Sequence, residues 1–426
     1  MGLRWRSACC HGEDDVNAEL RACRFRSGNH LLLLENGVEL FPALTDAIDG
    51  AQTSIHLETY IFKIDRAGKG ILEALQRAAV RGVKVRVVLD GFGSAEHAGA
   101  IEHAIHTAGG ICRIYRPEPR WFRWLVIHPD RLRRLHRKIT IIDDETAFIG
   151  GINIEDDFAQ TSDDTLQSEP RYDYAVRVIG PVVADAVRAA RHVWLRLSWA
   201  EIGQTVGSWR QFKKQARGVF QSIRISNPLE PGIRTVTAGL VLRDNLRFRR
   251  TIEKVYLHFI QQAEREIIIA NAYFLPGRRL RRALKQAAKR GVRVRLLLQG
   301  RVEYRLQSHA TRWIYDQFLR AGVEILEYMP SHLHGKVAVM DDVATVGSSN
   351  LDPFSLLLAR EANVVVRDDV FVDKLRQSLE RAIQRGSVVV DPSSHDNRRL
   401  IQRATDALAY LMVRIGVAIT GKGQDY

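Results

Sequence analysis

The 426-residue sequence is short of three features: cysteine, long apolar runs and acidic side chains. Its four cysteines have neither metal-ligand spacing nor the density of a disulfide framework, which suits a reducing compartment. No run reaches the roughly 18 apolar residues that span a bilayer, and no apolar stretch of the signal-peptide type follows the first basic residues. We therefore expect neither a disulfide-stabilised secreted domain nor a membrane-spanning chain.

Asp and Glu number 49 against 63 Lys and Arg, which leaves a net charge of +14. A basic surplus of this size favours a polyanionic partner, and the two classes that qualify are nucleic acids and anionic membrane surfaces. Charge alone does not choose between them. The length is sufficient for two domains of ordinary size, each with a full core.

The most informative feature is a motif, His-x-Lys-x-x-x-x-Asp, that occurs twice. Each copy is followed by a glycine-containing turn and an asparagine. The first copy contributes His136, Lys138, Asp143 and Asn153, and the second contributes His334, Lys336, Asp341 and Asn350. Internal self-similarity of this kind is rare by chance, which argues against two unrelated hairpins with surface His and Lys side chains.

Each motif predicts a β-hairpin in which His and Lys share a face. Residues 139–142 are apolar and β-branched, 143–145 are polar, and 147–149 are apolar again. Side chains two apart on a strand point the same way, so an imidazole lies beside an ammonium. That pair is unsuited to a core but well suited to a phosphate, because Lys supplies charge and a neutral imidazole can attack phosphorus or transfer protons. Asp143 and Asp341 have the opposite parity at the start of a turn, which indicates a structural role.

The segments around the motifs predict alternating strands and helices, and hence a mixed sheet with helices on both faces. The predicted strands are 31–34, 55–62 and 83–89, and the predicted helices are 41–51 and 70–81. The second half repeats this pattern, since 71–83 matches 280–292 and 55–62 matches 267–274. Two copies of one α/β unit are therefore expected.

Two such motifs in one chain resemble the phospholipase D superfamily, over about residues 31–390. The resemblance implies an α/β fold of two pseudo-symmetric phospholipase D-like domains, each a mixed β-sheet flanked by helices, with one active site at their interface. The expected organisation is an irregular tail at 1–27, a first domain at 28–197, a linker at 198–241, a second domain at 242–392, and a C-terminal tail at 393–426 with an amphipathic or interfacial helix.

The resemblance also implies roles for individual residues. It counts the His, Lys and Asp of both motifs as the catalytic set and the two asparagines as substrate-binding groups. By the same analogy, His136 is the nucleophile and His334 the general acid. Asp173 and Glu361 open strands where the superfamily places carboxylates that orient the histidines, and the alternative for them is an exposed position at a strand start. No metal or other cofactor is expected, because the lysines supply the positive charge.

Within the superfamily the sequence resembles bacterial cardiolipin synthases of the B type, on the stretches 35–37, 56–59, 90–94, 135–138, 150–153, 179–183, 271–274 and 347–353. This implies transfer of a phosphatidyl group from phosphatidylglycerol to the headgroup of a second phospholipid, phosphatidylglycerol or phosphatidylethanolamine, through a phosphatidyl-histidine. The same site with water as acceptor would give a phospholipase D, another phosphodiesterase or a nuclease. A non-catalytic binding relative would have no need of both histidines. A-type synthases usually carry membrane-spanning segments before the first domain, which this sequence lacks.

Two segments predict contact with a membrane surface. Residues 113–124 interleave aromatic and basic side chains, including Trp121, Phe122 and Trp124, although such a run would also suit nucleic acid. Residues 408–419 are apolar but too short to span a bilayer, so they form either an in-plane helix or a helix packed on the domain. The resemblance implies a phospholipid membrane as partner, no nucleic acid, and a peripheral position on the cytoplasmic side of the bacterial inner membrane.

Overall fold

One mixed sheet organises the part of the chain that the structure describes. The computed structural model describes residues 24–117, 133–158, 169–202, 233–244, 248–393 and 398–419. The strands are β1 (Arg26–Glu35), β2 (Ser54–Thr59), β3 (Lys84–Asp90), β4 (Ile111–Tyr115), β5 (Lys138–Ile142), β6 (Thr146–Gly150), β7 (Tyr174–Ile179), β8 (Val236–Arg243), β9 (Glu266–Asn271), β10 (Arg293–Gln299), β11 (Glu324–Tyr328), β12 (Lys336–Met340), β13 (Val343–Gly347), β14 (Glu361–Arg367) and β15 (Ser387–Val389). The helices are α1 (Asn36–Asp49), α2 (Arg66–Val80), α3 (Ala98–Thr107), α4 (Val183–Ile202), α5 (Thr251–Gln262), α6 (Arg278–Lys289), α7 (Arg305–Trp313), α8 (Tyr315–Leu319), α9 (Pro353–Leu357), α10 (Asp369–Gln384) and α11 (Leu400–Ile419).

The strand order is symmetric about the middle of the sheet. It runs β15-β11-β10-β9-β12-β13-β14-β8 and continues β1-β7-β6-β5-β2-β3-β4, with β8 and β1 paired antiparallel at the centre. Strands β2-β3-β4 and β9-β10-β11 are parallel, whereas the motif hairpins β5-β6 and β12-β13 are antiparallel. The predicted α/β fold with two related repeats is confirmed, and the sheets of the two repeats join into one.

Helix α2 shows how the local sequence determines the elements. Asp65 accepts a hydrogen bond from the Gly68 N–H at 2.9 Å and so caps the N-terminus, which explains why the helix begins before the predicted residue 70. Gly82, at φ 92°, follows the helix in the left-handed region that favours glycine. Ile71 and Leu75 are buried one turn apart and face the sheet core, as the apolar spacing predicts.

The motif aspartates support the hairpins at the end remote from the histidines. The Asp143 carboxylate accepts hydrogen bonds from the backbone N–H groups of residues 52–54 at 2.7–2.9 Å. Asp341 does the same for residues 264–266 at 2.7–3.1 Å. Partial burial opposes ionisation, but these backbone bonds outweigh it and lower the pKa of each aspartate. These contacts support the structural role that the strand parity predicts for both carboxylates, and their place in the catalytic set stays a prediction.

Two predicted segments, 198–241 and 408–419, differ from the helices and strands of the structure. The segment 198–241, predicted to be a linker, contains the end of α4 and most of β8 at the centre of the sheet, while 203–232 lies outside the described residues. The C-terminal helix α11 begins before the predicted stretch 408–419 and packs along α7, with Ala409 and Val413 buried. Among the residues described, no helix is both long and apolar enough to cross a bilayer.

Candidate active site

The two motifs meet where the repeats join. The N–H of His136 donates to the carbonyl of Arg360 at 3.0 Å, and the N–H of His334 donates to the carbonyl of Tyr172 at 2.8 Å. The residues that follow Arg360 and Tyr172 are the two carboxylates predicted to orient the histidines. Each motif therefore lies beside the carboxylate of the opposite repeat.

Each histidine is held at Nδ1 by a buried carboxylate. His136 Nδ1 lies 3.0 Å from Glu361 Oε1, and His334 Nδ1 lies 2.6 Å from Asp173 Oδ2. Glu361 is 0% exposed and Asp173 is 2% exposed, which excludes the alternative of surface carboxylates. A carboxylate that accepts the Nδ1 hydrogen fixes the tautomer and leaves Nε2 available to a substrate. The two contacts cross between the repeats.

Burial dominates the electrostatics of the histidines. It lowers the pKa of His136, with Glu361 opposing the shift and Lys138 adding to it. It also lowers the pKa of His334 well below the usual value, and the nearby Lys336 strengthens the effect. Burial opposes the ionisation of Glu361 as well, but His136 and Lys138 outweigh it and lower the pKa of this carboxyl. The lowered pKa values favour the neutral form of both imidazoles, which is the form required for attack on phosphorus.

The two motif lysines are buried beside the histidines. Lys138 Nζ donates to the His136 carbonyl at 2.8 Å. Lys336 Nζ donates to the His334 carbonyl and lies 3.5 Å from Asp173 Oδ2. Burial and repulsion from Lys336 lower the pKa of Lys138 to about 7, and burial lowers the pKa of Lys336 to about 8 against the opposing charge of Asp173. A phosphate would stabilise both ammonium groups, so the pair favours an anionic ligand.

The asparagines after the two motifs carry buried polar atoms without a partner. Asn153 Oδ1 and Asn350 Oδ1 have no hydrogen bond within the described part of the chain, while Asn153 Nδ2 donates to Glu155 Oε1 at 3.3 Å. A buried polar atom without a partner is uncommon and marks a place where a ligand can complete the bonding. Because rotation exchanges the two ends of an amide, each side chain can present N–H groups to a phosphate oxygen.

One aromatic side chain of the site was not predicted. The ring of Tyr60 packs edge-on against the His136 imidazole, with the two centroids 4.8 Å apart. The pairing of β2 with β5 and of β9 with β12 places Ala272 at the corresponding position of the second repeat. Alignment of the two repeats in the sequence could have revealed this difference. It makes the surroundings of the two histidines unequal.

Two predictions remain, the aromatic and basic segment before the first motif and the expectation that no metal is needed. Trp121, Phe122 and Trp124 lie outside the described residues, as do residues 118–132 around them. In the ranges given above, no group of three or more His, Cys, Asp or Glu side chains is arranged to hold a metal ion. The groups that do converge, two neutral imidazoles with two ammonium groups and two amides, suit phosphoryl transfer through a histidine.

Comparison with known proteins gives consistent matches over both repeats. A family model described as "Cardiolipin synthase, PLD-like domain" matches residues 44–167 and 256–383. Cardiolipin synthase B of Salmonella typhi is 40% identical over 410 residues, covering 94% of this chain and 91% of that protein, and cardiolipin synthase B of Escherichia coli (strain K12) is 39% identical with the same coverage. The crystal structure of a phosphatidylserine synthase from Haemophilus influenzae Rd KW20 covers 96% of this chain and 99% of its own, with a TM-score of 0.66 and 15% identity, which is a likeness of fold alone.

Proposed function

Because the chain belongs to the cardiolipin synthase family of phospholipase D-like proteins, we propose that it makes cardiolipin by transferring a phosphatidyl group to the headgroup hydroxyl of a second phospholipid. The chain is a phosphatidyltransferase of this superfamily. The observation that carries the proposal is the pair of buried imidazoles, each held at Nδ1 by a carboxylate of the opposite repeat and each beside an ammonium group. A binding module would need the cations but not two oriented imidazoles.

In the first step, Nε2 of one histidine attacks the phosphorus of phosphatidylglycerol. A P–N bond forms, the P–O bond to the headgroup glycerol breaks, and the second histidine gives a proton to the departing oxygen. Following the superfamily analogy, His136 is the nucleophile and His334 the acid. Burial favours the neutral form of both imidazoles in the free protein. The acid therefore takes up its proton as the anionic substrate binds, because a nearby phosphate raises the pKa of an imidazole.

In the second step, His334 removes the proton from the headgroup hydroxyl of a second phosphatidylglycerol. The resulting oxygen attacks phosphorus, the P–N bond breaks, and His136 is regenerated as cardiolipin forms. The covalent intermediate divides one difficult displacement into two easier ones. Lys138 and Lys336, together with the amides of the two asparagines, stabilise the negative charge on the phosphate oxygens in both transition states.

Phosphatidylethanolamine can enter this scheme only as the donor. Its headgroup ends in an amine, so it has no hydroxyl that could attack phosphorus and create the glycerol bridge of cardiolipin. As donor it would form the same phosphatidyl-histidine and release ethanolamine, with phosphatidylglycerol as acceptor. The expectation that it could serve as acceptor is therefore corrected on chemical grounds.

We propose that the reaction takes place at the cytoplasmic surface of the bacterial inner membrane, with the protein bound peripherally. Both substrates are bilayer lipids, and exposing their acyl chains to water costs about 0.8 kcal/mol per CH₂. The protein must therefore bring its site to the lipid. The net charge of +14 supports attraction to an anionic surface, and the low cysteine content fits a reducing compartment.

Incubation of the purified protein with phosphatidylglycerol vesicles tests the proposed activity. Mass analysis should show cardiolipin together with an equal amount of free glycerol, and neither product with His136→Ala or His334→Ala. Phosphatidic acid in place of cardiolipin would show that water is the acceptor. Cleavage of DNA without any lipid product would show a nuclease and refute the proposal.

The identity of the nucleophile has its own test. The reaction is stopped in alkaline denaturant, in which a phosphorus–nitrogen bond to histidine survives, and the lipid-bearing peptide is sequenced. Label on the peptide containing His136 is expected. Label on the peptide containing His334 would reverse the two roles and leave the overall reaction unchanged.

A further inference from the structure

Helix α6 of the second repeat is far more basic than its counterpart in the first. Residues 278–290 contain seven Arg and Lys and no Asp or Glu, whereas the matching residues 69–81 contain three basic residues and one Glu. The buried positions are alike, for example Leu284 against Leu75. The additional cations, of which Arg282 and Lys289 are exposed, are therefore not required by the fold that the two repeats share.

Helix α11 has one face on the protein and another in solvent. Its inner face contributes Ala409 and Val413 to the core of the second repeat. Its outer face exposes four apolar side chains at helical spacing, 47–57% accessible: Leu408, Leu411, Met412 and Ile415. Between the faces, the ring of Tyr410 lies 6.0 Å from the Arg281 guanidinium of α6 and 6.5 Å from the ring of Trp313 on α7. Helix α11 thus joins α6 and α7 into one surface.

This surface reaches the rim of the active site. Tyr304, directly before α7, is 57% exposed, and its ring lies 5.8 Å from that of Tyr273. The residue before Tyr273 donates its N–H to the carbonyl of Gly335, the neighbour of His334. Leu306, in the first turn of α7, is also exposed. Helix α7 therefore extends from the site rim, where Tyr304 and Leu306 are exposed, to Tyr410 of α11, which also lies beside Arg281 of α6.

We propose that the surface formed by α6, α7 and α11 docks the protein on an anionic lipid bilayer and holds the active-site rim against the headgroups. An amphipathic helix that inserts aliphatic side chains while neighbouring cations contact lipid phosphates is the usual arrangement for binding at a bilayer interface. Nucleic acid would use the cations, but it offers nothing to cover the exposed aliphatic face, because single-strand binding relies on aromatic stacking. The inference rests on the proposed function, since the substrates there are bilayer lipids.

Two paired substitutions test the surface, each with a matched control in the first repeat. Arg282→Gln with Lys289→Gln removes two exposed cations, and Lys69→Gln with Lys84→Gln is the control. Leu411→Ser with Ile415→Ser removes exposed apolar side chains from α11, and Val38→Ser with Val80→Ser, both exposed, is the control. All of these side chains are at the surface, so thermal unfolding should show folded proteins.

Binding is measured by co-sedimentation with vesicles of phosphatidylglycerol and phosphatidylcholine at several salt concentrations. At low salt each lost cation should weaken binding by up to about fivefold, and high salt should abolish the difference. The loss caused by the α11 substitutions should persist at high salt, because burial of apolar surface is not screened. Turnover of vesicle lipid should fall with binding, whereas turnover of a dissolved short-chain phosphatidylglycerol should stay at the wild-type level.

The possible outcomes separate this inference from the proposed function. Vesicle binding by either test variant at the level of its control would overturn the docking surface, even if the wild type makes cardiolipin. Loss of DNA affinity with unchanged vesicle binding in the α6 variant would make the cations part of a nucleic-acid site and also overturn it. A wild type that docks through this surface but forms no cardiolipin would leave the docking inference standing and refute the proposed function.

Discussion

Replacing Glu361 with Gln should impair catalysis through a histidine that belongs to the other repeat. The Glu361 carboxylate is fully buried and contacts His136 Nδ1 at 3.0 Å. A hydrogen bond to a charged group contributes about 1.5–3 kcal/mol. If that stabilisation is lost from the transition state, the rate falls by about 10- to 150-fold. Gln keeps the shape of the side chain, so the free energy of unfolding should change much less than the activation barrier.

The pH dependence of kcat/KM in Glu361→Gln distinguishes a change at His136 from a general loss of structure. The charge of Glu361 favours the protonated form of His136, so its removal lowers the pKa of His136 further. If His136 must be neutral to attack, the acidic limb of the kcat/KM profile moves to lower pH. If His136 is instead the acid, the alkaline limb moves to lower pH. Asp173→Asn should act in the same way on His334.

The assay is the initial rate of cardiolipin formation on phosphatidylglycerol vesicles as a function of pH. Glu361→Asp should recover part of the rate because it restores the charge, and Glu264→Gln, at an exposed position in the same repeat, serves as the matched control. Wild-type turnover in Glu361→Gln would refute the orienting role. A loss of activity matched by an equal loss of folded protein would do so as well.

Four further predictions follow from the site. Tyr60→Ala should lower kcat by about two- to tenfold through loss of the ring contact with the His136 imidazole, and Tyr60→Phe should keep kcat near wild type. Because the pKa values of Lys138 and Lys336 are about 7 and about 8, kcat/KM should fall as the pH rises through these values. The decline of kcat should occur only at higher pH, because bound phosphate keeps the ammonium groups charged. A kcat/KM that does not change with pH would contradict this. Asp143→Ala and Asp341→Ala should each reduce the free energy of unfolding in urea by about 2–3 kcal/mol, since three backbone hydrogen bonds are lost, with the kcat of the folded protein unchanged. A chelator should leave turnover intact, and loss of activity restored by a divalent ion would show that the lysines do not supply the required charge alone.

The local sequence was sufficient for the elements that carry the motifs. The apolar, β-branched run at residues 139–142 predicts β5, and the alternation of side chains along a strand separates His136 and Lys138 from Asp143. The apolar spacing of α2 predicts the helix, although not the capping by Asp65 that moves its start. These features depend on side chains within a few positions of one another, which is why sequence patterns are informative about them.

The boundaries of the segment 198–241 were harder to predict, because the sequence of β8 does not show a clear strand pattern. Its residues read as the end of an irregular segment, yet β14 and β1 pair with it on either side. The partners of β8 lie more than a hundred residues away in both directions along the chain. Tertiary pairing, not local propensity, makes this segment a strand.

The crossing of the histidine and carboxylate pairs could not be predicted for a related reason. Glu361 begins β14 and Asp173 directly precedes β7. Either carboxylate could face the histidine of its own repeat or of the other without any change in local sequence. The choice depends on the bonds from His136 to Arg360 and from His334 to Tyr172, which exist only when the repeats are packed together. Each half therefore supplies one imidazole to the site and the carboxylate that contacts the other imidazole. A separated repeat would keep its motif but lose the partner of its histidine, so two motifs in one chain form one site rather than two.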